Sequence, residues 1–245
     1  MKNFFKKTLV IFVLVSLWQA YSFLNSNFLI SSPLEIVQAL ISLFQEKDIY
    51  FHILNSLSRV AVGFLGATIL GIGLGLILGN YKRIGEYFLP LIEILRPIPP
   101  IAWIPVAILL FGLGNAPAYF IIFLGAFFPI FSNAYFAAAS LPRIYRNTAR
   151  SFELSRLTFF YEILFKYSLS NIFVGLKIGI GMAWICVIAA EMIGAQSGLG
   201  YFIQTSRLFL HIDKMLAGIL IIGLIGYFLN TCMFYLEKKI VKWHA

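Results

Sequence analysis

Charge is scarce in this chain. Only 12% of its 245 residues are Asp, Glu, Lys or Arg, whereas 60% are hydrophobic and the mean hydropathy is +0.89. A soluble domain carries about 25% charged residues, so that class is excluded in favour of a polytopic helical membrane protein. The apolar runs are continuous and do not alternate in ~10-residue strands, which excludes a β-barrel. Enzyme signatures are missing as well. Neither GxxxxGKS nor GxxxxGKT occurs, so the chain does not bind and hydrolyse ATP through a phosphate loop, and the HExxH and GxSxG patterns of membrane hydrolases are absent. The two cysteines, Cys186 and Cys232, lie in different apolar runs without CxxC spacing and read as packing residues. His52, His211 and His244 are too dispersed for a ligand cluster, so no metal is expected.

What is abundant is apolar sequence of membrane length. Runs at about 8–24, 56–79, 98–113, 117–139, 172–193 and 215–236 give six expected spans. Fourteen of the nineteen Lys and Arg fall at the two termini, around 82–96 and within 143–166, which places those segments and both termini in the cytoplasm. Lys47, Arg59, Arg207 and Lys214 fall outside, and Lys177 is expected to snorkel to the inner interface. The net charge of +9 therefore reports topology and contact with anionic lipid, not nucleic acid. Lys2, Lys6 and Lys7 before the first run suggest a signal peptide, but no small-x-small cleavage site follows and further spans come after, so an uncleaved first span is expected. The mildly acidic segment 25–55 is expected outside, with a helix starting at Ser32-Pro33.

Three features within the spans carry more information. Gly63, Ala67, Gly71, Gly75 and Gly79 recur at i+4, and Gly175, Gly179 and Ala183 repeat the pattern in the fifth run, so each helix has a face that lets another backbone approach closely. Pro97, Pro99, Pro100 and Pro105 preclude a straight helix. Irregular backbone at membrane depth is tolerated only when buried in protein or lining a cavity. The stretch is thus either a loop leading into a short helix or a broken helix beside a translocation path. Glu191 lies ~28 Å along its run from Ile172, near the edge of a ~30 Å hydrocarbon core, and is expected in a wet external vestibule. A secondary carrier should show ionisable groups near the midplane or repeated halves. Neither is found, so the drive for any transport has to come from outside the chain.

The longest polar interruption is RIYRNTARSFELSRLTFFYEILFK at 143–166, with Arg143, Arg146, Arg150 and Arg156 alongside Glu153, Glu162 and Lys166. Its residues fit either a positive topology anchor or a docking surface for a cytoplasmic partner.

RPIPPIAWIPVAILLFGLG (96–114), LGAFFPIFSNAY (124–135) and AEMIGAQSGLGYFI (190–203), together with SSPLEIVQAL near Ser31 and NSLSRVAVGF near Asn55, resemble the integral-membrane permease of ATP-binding-cassette importers. The branch is the one serving aliphatic sulfonates, taurine and nitrate. The resemblance implies an all-α, six-span permease of the type I importer fold over 1–245, set in the cytoplasmic (inner) membrane. It implies a transport subunit that is not an enzyme and holds no cofactor of its own, ATP being bound by a separate ATPase. An external substrate-binding protein and a second permease copy, as a homodimer, would complete the assembly. It further implies that 143–166 contains the coupling helices, with Asn147, Ala149, Arg150, Ser151, Glu153, Leu154 and Arg156 meeting the ATPase. Pro97, Pro99, Pro100, Trp103, Glu191, Ser197, Gly198, Leu199 and Gly200 would belong to the path or its external gate. The rival functions are a stand-alone channel or secondary carrier, and a non-transporting membrane scaffold.

This sequence departs from the family pattern in the coupling segment. Asn147-Thr148-Ala149 replaces Glu-Ala-Ala, Glu153 stands where glycine is expected, and Lys166 where proline is common. Glutamate at positive φ is strained by roughly 1–2 kcal/mol, so the helix is expected to run through Glu153 or to bend there at negative φ.

Overall fold

The computed structural model describes residues 2–24 and 31–241, with side chains throughout except at 2–12 and Lys82. The expectations placed on 25–30, on Lys242 and on His244 fall outside the described residues. Ten helices account for nearly all of the described chain: α1 Lys2–Leu24, α2 Pro33–Gln45, α3 Lys47–Asn80, α4 Lys82–Leu95, α5 Ile104–Phe111, α6 Asn115–Ala139, α7 Arg143–Ser151, α8 Arg156–Gly194, α9 Leu199–Leu208 and α10 Ile212–Ile240.

Four of these, α3, α6, α8 and α10, are long and apolar enough to cross a membrane, and the pair Arg83–Leu95 and Pro100–Phe111, bent by 84°, makes a fifth candidate. The expected first span, 8–24, falls in α1, whose described Val13–Leu24 portion is apolar but shorter than the span-length helices. The prolines act as anticipated. Pro99 and Pro100 open a single 3-10 turn, Pro100–Trp103, from which α5 departs. Helix α4 before the bend was not anticipated. Ile84, Tyr87, Phe88, Leu91 and Ile94 form an exposed stripe along it.

Helix α2 starts as its sequence predicts. The Ser32 hydroxyl accepts from Glu35 N–H, the Glu35 carboxylate accepts from Ser32 N–H at 2.8 Å, and Pro33 occupies the first turn. The turn between α5 and α6 uses Gly112 and Gly114 at φ +76° and +125°, a backbone region that glycine enters without a Cβ clash.

The core forms because α6 lies between α3 and α8 and can approach both closely. A methyl added at Gly71 would sit 2.9 Å from Ile130 Cγ2, and one at Gly179 would sit 3.0 Å from Ile130 Cδ1. Ile130 thus fills the gap to both partners and is fully buried. Gly63 meets Ile122, Gly75 meets Ala134 and the Phe131 carbonyl, Gly79 meets Ala138, and Gly175 meets Ile130 and Pro129. Cys186 packs against Gly125, and Cys232 is half-buried. Both small-residue faces read from the sequence are therefore contact faces, and both point at α6. Lys177 is partly exposed, and its ammonium pairs at 2.9 Å with Glu237 near the C-terminal end of α10.

Not every glycine of α3 takes part. A methyl at Gly73 meets nothing within 4 Å, whereas one at Gly75 lies 2.8 Å from a carbonyl. Gly73→Ala should raise the unfolding midpoint of the purified protein in detergent, in line with the ~0.5–1 kcal/mol that alanine gains over glycine in a helix. Gly75→Leu should lower it by more than the 1–3 kcal/mol usual for overpacking, because backbone and not a rotamer stands in the way.

Candidate functional site

A fully buried charge cluster lies inside the bundle, where the N-terminal half of α3 meets the last turn of α8. Arg59 and Glu191 are 3% and 0% exposed. Arg59 Nη1 donates to Glu191 Oε1 at 2.6 Å and to the Ser197 carbonyl at 2.8 Å, Nη2 donates to Ser197 Oγ at 2.7 Å, and Nε donates to Asn115 Oδ1 at 2.8 Å. The Glu191 carboxylate also accepts from Ser56 Oγ at 2.8 Å and from Gly200 N–H at 2.9 Å. Ser56 Oγ in turn accepts from Leu199 N–H, and His52 Nδ1 accepts from Gly198 N–H at 3.0 Å. Both charges are thus paired and their remaining polar atoms satisfied, which is the condition for burying them.

The loop fits over this cluster because of its glycines. Gly198 has φ +106°, and a methyl on it would overlap the Glu191 carboxyl group. A methyl at Gly200 would collide with the Ile188 carbonyl and lie 2.8 Å from Glu191 Cβ. Glu191, Ser197, Gly198, Leu199 and Gly200 are accordingly brought together as one unit. Pro97, Pro99, Pro100 and Trp103 are not part of it. Pro97 and Pro99 are exposed, Trp103 packs against the main core, and no hydrogen bond or ion pair joins them to the cluster among the described residues.

Two expectations are corrected here. Glu191 is not in a wet vestibule. Helical rise gave its depth, but its surroundings are set by α3 and by the loop into α9, which close over it. Arg59, counted on the external side, is not exposed there, because α3 begins at Lys47 and carries it into the interior. Ser56, Arg59 and Asn115 were missed as site residues. A signal existed: positions 56, 59 and 63 continue the face that runs on through Ala67 and Gly71, so the polar pair heads the small-residue stripe and had to be buried with it.

The opposite end of the bundle carries the segment 143–166. α7 ends in two backbone bonds, Glu153 N–H to Arg150 O and Leu154 N–H to Ala149 O, both at 3.0 Å. This is a Schellman cap, whose residue after the cap adopts the left-handed conformation. Glu153 holds that position at φ +50°, which overturns the expectation of negative φ. The chain has to reverse before α8, and the two cap bonds offset the strain. Ser155 then caps α8 by accepting from Thr158 N–H at 3.1 Å. From there the helix runs without a break into the span through a π turn at Phe159–Phe165. Lys166 supplies the N–H that a proline would lack, so the helix continues, and its ammonium pairs with Glu162.

Of the residues singled out in this segment, Ala149 is buried, while Asn147, Arg150, Ser151, Glu153, Leu154 and Arg156 are exposed. Arg146 Nη1 donates to Asn80 Oδ1 at 2.7 Å, tying α7 to the last residue of α3. Among the described residues, no group of three or more His, Cys, Asp or Glu side chains is arranged to hold a metal.

Comparison with known proteins agrees with this architecture. The profile of the family described as "Binding-protein-dependent transport system inner membrane component" matches residues 71–242. The nitrate import permease protein NrtB of Synechocystis is 36% identical over 80% of this chain and 71% of its own. NrtB of Leptolyngbya laminosa is 32% identical over 94% and 85%, and the taurine transport system permease protein TauC of Escherichia coli is 29% identical over 95% and 87%. An inward-facing structure of the MetNI methionine ABC transporter superposes with a TM-score of 0.66 at 17% identity, covering 79% of this chain and 94% of the other.

Arg59→Met should lower the stability of the protein in detergent by about 3–5 kcal/mol, because it leaves Glu191 buried without its partner. Combining it with Glu191→Leu should recover part of that loss, as read by thermal unfolding. Glu153→Gly should raise stability by about 1 kcal/mol by relieving the left-handed backbone, measured in the same way.

Proposed function

Since the chain belongs to the binding-protein-dependent transport system inner membrane component family and is the permease subunit of an ATP-binding-cassette importer, we propose that its cargo is a small oxyanion of the nitrate, taurine or alkyl sulfonate kind. Support comes from relatives named as nitrate and taurine permeases, which this chain matches over most of their length. ATP hydrolysis takes place on a separate subunit, and the family assembles with an ATPase and a substrate-binding protein. In the assembly we propose, two copies of the chain form a homodimer, both termini face the cytoplasm, and α7 lies on the cytoplasmic side.

The observation that carries the reading is α8. One helix begins at the Ser155 cap beside the exposed α7 turn and ends three residues after Glu191, beneath the Ser197–Gly200 loop. At 1.5 Å per residue the path from Arg156 to Glu191 is ~53 Å. Force applied by the ATPase at Asn147–Arg156 reaches the external gate at Glu191 and 197–200 along this rod, with Pro97–Trp103 bracing the path. The buried ion pair holds the gate loop closed in the resting state. Alternating access is then a rigid-body rearrangement driven by the ATPases.

Reconstitution in proteoliposomes with the partner ATPase and binding protein tests this. Uptake of labelled nitrate or taurine should require ATP and both partners, and Ala149→Asp, which puts a charge at the buried position of α7, should reduce it at least ~10-fold, equivalent to 1.4 kcal/mol or more. Uptake that persists without ATP or without the ATPase would make the chain a channel or secondary carrier.

A further inference from the structure

Between 143 and 158 the exposed charge of the coupling segment is mainly positive. Arg143, Arg150 and Arg156 are solvent-exposed, and none has a carboxylate partner among the described residues, where the ion pairs are Arg59–Glu191, Lys166–Glu162, Lys177–Glu237 and Lys214–Glu46. Arg146 is satisfied by a neutral amide, that of Asn80, and lies over the Phe159 ring. Glu153 is the one acidic residue between 143 and 158. These arginines do not simply point away into water. Arg146, Arg150 and Arg156 rim a groove of about 510 Å³ between the end of α3, the α7 turn and the start of α8, with Phe159 and Phe160 at its wall. In the same stretch of chain Ile144, Phe152 and Leu157 are each more than two-thirds exposed.

From this we propose that the groove is a receptor for carboxylate side chains of the partner ATPase, so that the docking cleft of that ATPase is acidic where it meets Arg150 and Arg156. The inference rests on the coupling role proposed above and adds the chemistry of the contact. Charge complementarity selects the occupant. A guanidinium fork matches a carboxylate in a bidentate geometry, and an aromatic wall excludes water beside it, which strengthens the pair. The exposed apolar side chains of the same segment supply area to bury, and the arginines supply register and orientation. Asn147, standing where the family pattern has glutamate, fits the same polarity, because an acidic residue there would be repelled by an acidic cleft. The positive charge needed for topology is provided by any lysine or arginine on that side. It does not require that arginines converge on one groove.

The test is binding of the partner ATPase to the full-length permease in nanodiscs, measured against ionic strength. Raising salt from about 50 to 500 mM should weaken binding by about tenfold or more. Arg150→Glu combined with Arg156→Glu should weaken it further, the double Lys replacement, which keeps the charge but loses the bidentate fork, should fall between that variant and the unmodified permease, and an Asp or Glu of the ATPase cleft changed to Lys should restore binding to the double Glu variant. Salt-independent binding that survives the double Glu replacement, while Phe152→Asp with Leu157→Asp abolishes it, would overturn the acidic cleft and leave the coupling role standing. Failure of the ATPase to bind the unmodified permease would overturn both. If the salt dependence disappears when anionic lipid is replaced by phosphatidylcholine alone, the groove belongs to lipid headgroups and the proposal falls.

Discussion

Helix α6 has to touch two neighbours at once, and the rest of the bundle follows from that requirement. In lipid there is little hydrophobic drive to bring helices together, so contact depends on van der Waals packing over faces that permit it. Gly71 of α3 and Gly179 of α8 leave space for the same side chain, Ile130, on opposite sides of α6. Once the three helices are in register, the residues at their ends are fixed as well. Arg59 and Ser56 come opposite Glu191 at one end, and Asn80 comes opposite Arg146 at the other.

The polar groups sit where this packing leaves backbone to be satisfied. The loop from Ser197 to Gly200 offers a carbonyl, a hydroxyl and three N–H groups to side chains that the helices hold in place. Such a loop could not lie over the bundle end without these partners, since each unmet polar group in an apolar setting costs several kcal/mol. The charges are therefore part of how the loop is held, and their mutual neutralisation is what allows them to be there.

Much of this was legible in the sequence. The apolar runs that form α3, α6, α8 and α10, the two glycine faces, the proline break and the Ser32 cap each rest on local chemistry that leaves a mark in the residues themselves. The misreadings came from quantities that local sequence does not contain. Helical rise places Glu191 along the membrane normal but says nothing of which helix lies beside it. Arg59 counts as an external charge by its place in the chain, and nothing local shows that Glu191 comes to lie beside it. Steric preference argued against positive φ at Glu153, but the geometry needed to join α7 to α8 outweighed a penalty of roughly 1–2 kcal/mol.

The length of α3 sets a limit on how the protein can move. Its 34 residues extend ~51 Å, well beyond a ~30 Å hydrocarbon core, and its hydrogen-bonded ladder neither stretches nor compresses appreciably. Arg59 and Asn80 are separated by 21 residues on it, or ~32 Å. A strut anchored at both points can tilt or rotate, but the distance between its anchors is conserved. Any displacement of α7 along the helix axis that keeps the Arg146–Asn80 bond must therefore reappear at the Arg59 end, while a sideways displacement reappears there with opposite sense if the contact with Ile130 acts as the fulcrum.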